Sequence, residues 1–183
     1  MARRILASIK ARFADLNLAC YRLRCGHAFA CSRLSDFFMP LALPPPQPSL
    51  PADLLPLRAE LIRYGFTVRL ERPPQHDVYG VFNSKTRTIW IAPITIPLGI
   101  VRPSFLHEAV HAAQSCSLGR PTLLGIKASV PPVVNQEING ILTTRYDNAN
   151  RALEREAFLL QSQPDAVSIL IRALRSRCNL KTI

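Results

Sequence analysis

The tightest constraint on this chain is a run of five residues, His107-Glu108-Ala109-Val110-His111. On a helix, residues four apart share a face, with Cβ atoms about 6 Å apart. Two imidazoles so placed can converge on one tetrahedral zinc ion. Glu108 then lies about 100° round the helix from His107, within reach of a metal-bound water without being a ligand. The pattern therefore demands a helix over 103–119. Pro103 suits the first helical position, where a missing N–H costs nothing, and Gly119 suits the residue just past the end. Phe105, Leu106, Ala109, Val110 and Ala113 supply an apolar surface to bury it. Histidines paired at helical spacing in a core or on a surface are the bland alternative. Yet half of the four histidines (His27, His76, His107, His111) fall in this one motif.

Charge narrows the function classes. The net charge of +11 is +6 over residues 1–34, +4 over 166–183 and only +1 over 35–165. A nucleic-acid-binding domain carries its basic excess on the folded surface. Here the excess sits at the two ends, so no specific nucleic-acid partner is expected, only weak attraction of the tails to anionic surfaces. Five cysteines, an odd number, do not read as a disulfide framework, and Cys116 is expected to be a buried thiol. A reducing, cytoplasmic setting follows as an expectation. The longest apolar stretch, Thr88 to Val101, is interrupted by Pro93 and Pro97, so no transmembrane helix is expected.

Two regions are expected. Residues 1–51 form a basic segment followed by a proline-rich linker (Pro40 to Pro51), expected to be poorly ordered. Within it, Ile5 to Leu23 reads as a basic amphipathic helix, compatible with a targeting segment, and Cys25 to Cys31 superficially resembles part of a RING finger without its downstream ligands. Met39 is an alternative start. Residues 52–183 form the folded domain. Ala52 to Tyr64 reads as a helix closed by Gly65, and Phe66 to Leu70 as a strand. Asp77 to Phe82 and Thr86 to Ile91 read as a hairpin turning at Asn83-Ser84-Lys85. After the motif helix, a loop over 120–135 precedes a short helix, Asn135 to Thr144, broken at Gly140. Asn148 to Gln163 reads as a firm helix, and Asp165 caps a last helix to about Arg177. The class is α+β, with a small, mainly antiparallel sheet packed on the motif helix and a helical C-terminal part.

A catalytic zinc site needs a third protein ligand and one open position. No histidine follows His111, so that ligand must be a carboxylate. Glu154 and Glu156 lie on the firmest downstream helix, about 200° apart, so at most one faces the ion. Periodicity alone does not separate them: either can lie on the buried side, and both can equally be solvated partners of Arg151 and Arg155. Gln114, seven residues after His107 on the same face, is a candidate to orient a ligand or meet substrate. Tyr146 or Arg145 is the candidate for stabilising an oxyanion.

His-Glu-Ala-Val-His-Ala-Ala-Gln, followed some forty residues later by Leu-Glu-Arg-Glu-Ala-Phe, resembles the small gluzincin metallopeptidases over roughly residues 52–163. The resemblance implies a zincin-like fold and one zinc ion held by His107, His111 and Glu154, with Glu156 as the fallback. It also implies Glu108 as general base in the hydrolysis of a peptide or protein substrate. Many relatives carry Asp or Asn four residues after the ligand glutamate; this chain has Phe158, which leaves the partner of a ligating histidine unassigned. An extended substrate is expected to pair with Thr86 to Ile91 as a sheet edge. The alternatives are a non-catalytic zinc-binding scaffold or regulatory domain, and a basic surface binder in which the motif is accidental.

Overall fold

The computed structural model describes residues 49–116 and 120–178. The readings placed on residues 1–48, including the amphipathic helix, the cysteine cluster and Met39, lie outside the described residues. So does Gly119. Among the described residues the architecture is α+β, with five α-helices and a three-stranded mixed sheet. No helix among them is long and apolar enough to cross a membrane.

A short 3-10 turn (Ala52–Leu54) leads into α1 (Leu55–Arg63), with Pro56 in its first turn. Gly65 stops it at φ +78°, a left-handed conformation that favours glycine. Strand β1 (Thr67–Arg69) follows, then β2 (Gly80–Asn83) and β3 (Thr88–Ile91) as a hairpin. Asn83 makes the turn: its Oδ1 accepts from the backbone N–H of Lys85 at 2.9 Å and of Thr86 at 3.2 Å.

The strand order is β1-β3-β2, with β3 antiparallel to β2 and parallel to β1. The sheet is therefore mixed rather than mainly antiparallel, because the connection from β1 returns the chain to the far side of β3. This also overturns Thr86 to Ile91 as the open edge. β3 is the central strand, with Thr88, Ile89 and Ile91 buried, and the strand with a free side next to the motif is β2.

The motif helix α2 (Val101–Gln114) is the centre of the molecule, with the sheet on one side and α4 and α5 on the other. Pro103 is its third residue rather than its first; it still falls within the first turn, where N–H groups lack helical partners. No side chain caps the N-terminus, an omission costing about 1 kcal/mol. Packing outweighs it. Phe105, Leu106, Ala109, Val110, Ala112 and Ala113 are fully buried, and each large side chain contributes about 1.5–3 kcal/mol.

Helix α3 (Pro132–Arg145) runs unbroken through Gly140, against the expected interruption; a lone glycine costs a helix only about 1 kcal/mol. It rests on a second apolar cluster of Ile138, Leu142 and Phe158. Helix α4 (Arg151–Gln161) crosses α2, and α5 (Ala166–Arg177) packs on α1 and α2. Asp165 does sit at the N-cap of α5, but its side chain makes no capping hydrogen bond. Arg175 of α5 grips the buried Glu60 of α1 through Nε at 2.9 Å and Nη2 at 3.3 Å.

Cys116, expected as a buried thiol, is disulfide-bonded to Cys178 across 62 residues. The inference of a reducing compartment from the cysteine count loses its basis. Closing a loop of 62 residues removes unfolded-state entropy worth about 4 kcal/mol. Urea unfolding of the Cys178→Ser protein should show a loss of about 3–4 kcal/mol relative to the oxidised protein, and identical transitions would exclude the bond.

Candidate metal centre

Helices α2 and α4 bring three donor side chains together. His107 Nε2 lies 3.1 Å from His111 Nε2 and 3.2 Å from Glu154 Oε2, and His111 Nε2 lies 3.5 Å from the same oxygen. The three side chains are 13, 17 and 17% exposed, shielded but open to a cleft of about 510 Å³. Among the described residues this is the one group of histidine, cysteine or acidic side chains so clustered that it could hold a metal ion.

The hydrogen bonds behind the donors fix their chemistry. His107 Nδ1 is 2.8 Å from Gln161 Oε1, and His111 Nδ1 is 2.9 Å from Gln114 Oε1. The Gln114 amide is not free to flip, because its Nε2 donates to the Leu153 carbonyl at 3.1 Å and to Glu156 Oε2 at 2.9 Å. An amide oxygen can only accept, so the locked Gln114 puts a proton on His111 Nδ1, and Gln161, with its oxygen turned to His107 Nδ1, is oriented to do the same. The neutral rings then direct two Nε2 lone pairs and a carboxylate at one point, which is repulsive unless a cation stands between them. Four-coordinate zinc with ligands at about 2.0–2.1 Å separates them by about 3.3 Å, and the observed edges of 3.1, 3.2 and 3.5 Å bracket that value. The donor set fits a single divalent ion.

Glu154 and Glu156 thus part company. Glu154 faces the histidines; Glu156 is buried on the other side and accepts from Gln114, from Leu124 N at 2.8 Å and from Gly125 N at 2.8 Å. It pins the irregular segment 120–131 to α4 and, through Gln114, holds the His111 ring. Arg151 and Arg155 pair with neither acid: Arg155 is held by Asn135 and Asn139, and Arg151 by the Tyr146 carbonyl.

Glu108 points to the sheet side of the cluster. A β-carbon at Gly80 would stand 3.0 Å from Glu108 Cγ and 3.1 Å from its Oε1, so glycine is required for this approach. Burial raises the Glu108 pKa; the nearby histidines and the Phe82 backbone N–H directed at the carboxylate oppose the rise, and Glu154 adds to it. Burial and then the Glu154 carboxylate push the Tyr146 phenol upward, so it stays protonated beside the cluster. The side chain of Arg145 lies outside the described residues.

Phe158 meets the His107 ring edge-on, with centroids 4.8 Å apart and 60° between the ring planes. The polar contact to His107 comes from Gln161, to which periodicity alone assigns no role. Its signal was the stripe 154-157-158-161 on one helix face.

Residues 95–178 match the model of a domain of unknown function (DUF8637). The match spans all three donors, Gln114, Glu156 and both bonded cysteines, and leaves out the sheet with Gly80. No curated protein and no solved structure matches the chain.

Without a metal ion a proton takes the ion's place. Burial disfavours the His111 imidazolium, but the Glu154 hydrogen bond and the charges of Glu108 and Glu154 outweigh it and raise the pKa to about 9. Burial likewise opposes ionised Glu154, and the hydrogen bonds from His107 and His111 win, lowering it to about 2. Glu154 therefore contributes stability above its ordinary 4.5, lost as pH falls through about 2; His111 contributes below its ordinary 6.5, lost as pH rises through about 9. For chelated protein this contribution should be greatest between pH 4.5 and 6.5, and Glu154→Gln should flatten it. Superimposable pH–stability curves for the two proteins would exclude the pairing. Removing the brace behind His111 by Glu156→Gln should weaken metal binding about tenfold in competition with a chromophoric chelator; unchanged affinity in a folded variant would break that link.

Proposed function

We propose that this chain is a zinc-dependent metallopeptidase of the small gluzincin type, with a zincin-like fold. The observation that carries the reading is the convergence of His107, His111 and Glu154 within one cleft, with Glu108 beside them. The placement of α2 between a small sheet and the helix bearing Glu154 supports the fold assignment.

In this reading His107, His111 and Glu154 hold one zinc ion, leaving a position open to the cleft. Zinc in such a site lowers the pKa of water towards about 7 and polarises a carbonyl. The chain's own residues do the rest. Glu108, held against Gly80, accepts the proton of the attacking water at its carboxylate and returns it to the leaving amine. Its raised pKa suits both halves of that exchange. The neutral Tyr146 phenol donates to the oxygen on which negative charge develops. Gln161 and Gln114 face the two Nδ1 atoms, which leaves each Nε2 turned to the ion. The unpaired side of β2, which lines the cleft, offers backbone groups to an extended peptide.

Glu108→Gln should reduce turnover about 1,000-fold, the middle of the range for a lost general base, while zinc stoichiometry by elemental analysis stays at that of the unaltered protein. Turnover that survives the substitution would refute the assigned base. A phenotype that needs zinc yet is indifferent to Glu108→Gln would favour the non-catalytic zinc-binding reading.

A further inference from the structure

We propose that the cleft selects peptides carrying a lysine or arginine beside an aliphatic side chain, with Asp77 and Glu137 reading the cation. This rests on the peptidase reading and adds the substrate class.

The chain is strongly basic, at +11, yet among the described residues no lysine or arginine lines the cleft. Its charged lining among those residues, besides the two histidines, is four carboxylates, Asp77, Glu108, Glu137 and Glu154. Four negative charges and one divalent ion still leave a formal −2, so an occupied centre does not reverse the sign. Two of the four are committed to the centre. The other two are exposed and have no hydrogen bond or ion pair among the described residues. They come from different walls: Asp77 from the segment entering β2, where it adopts φ +62°, and Glu137 from α3. A low-dielectric cleft lined by one sign of charge concentrates ligands of the other. Phosphate groups and acidic peptides are disfavoured by the same field.

The apolar part of the selection comes from α3. Val134, Ile138 and Ile141 recur at helical spacing on the face that lines the cleft, and Glu137 lies among them on that face. Phe158 continues this wall beside His107. A cationic side chain next to an aliphatic one matches a wall that alternates in the same way.

The test uses the zinc-loaded Glu108→Gln protein and three labelled peptides with one aliphatic core, flanked by arginine, alanine or glutamate. Fluorescence anisotropy should rank them arginine, alanine, glutamate, with about a threefold step for each exposed charge contact, and the steps should shrink with added salt. Changing Asp77 and Glu137 to lysine together should invert the ranking without altering zinc content. Equal affinities, no binding of any peptide, or a ranking untouched by the double substitution would overturn the proposal. Hydrolysis separates the two readings. Cleavage by the unaltered protein with no charge preference leaves the peptidase and removes the selectivity. The expected binding order with no cleavage keeps the selectivity and removes the peptidase.

Discussion

Two imidazole lone pairs and a carboxylate aimed at one point, with nitrogens 3.1 Å apart, make an arrangement that only a positive charge can hold. Everything around it serves to keep those groups from turning away. Both Nδ1 atoms are tied to amide oxygens, one amide is locked by a carbonyl and a buried carboxylate, and that carboxylate is locked in turn by two backbone N–H groups. The His111 ring in particular cannot turn without breaking this chain of bonds. The local energetic conflict is preserved by the fold and released by whatever cation enters.

That conflict is affordable because α2 is so deeply buried. A helix with six fully buried apolar residues tolerates an uncapped start and a polar stripe along one side. The stripe is narrow: His107, His111 and Gln114 face α4, while Glu108 faces the sheet. The chain thus divides the labour of one helix between two neighbours. α4 completes the donor set, and β2 receives the base through a glycine.

How much of this was legible depended on the range of the signal. The motif helix, the β2–β3 hairpin and the helix bearing Glu154 are written in short-range spacing, which fixes their boundaries to within a few residues. The choice between Glu154 and Glu156 was not available from periodicity, since both are shielded in the fold. What separates them is the amide pair at Leu124 and Gly125, more than thirty residues upstream in an irregular segment. The parallel pairing of β1 is likewise a long-range event without a local signature. Gly80, a glycine inside a strand pattern, is a readable sign of close approach, though not of which side chain approaches. The disulfide was hidden by arithmetic: three of five cysteines lie before residue 49, and setting them aside leaves Cys116 and Cys178.

The Cys116–Cys178 bond also decides how the domain survives a broken chain. Segment 120–131 has no regular secondary structure and exposes alternate residues, the kind of backbone an external protease reaches. A cut there puts both histidines on one fragment and Glu154 on the other, yet the fragments stay joined through sulfur. The domain is topologically a ring at this end. A nicked molecule can keep its three donors in register, and only cleavage combined with reduction separates them.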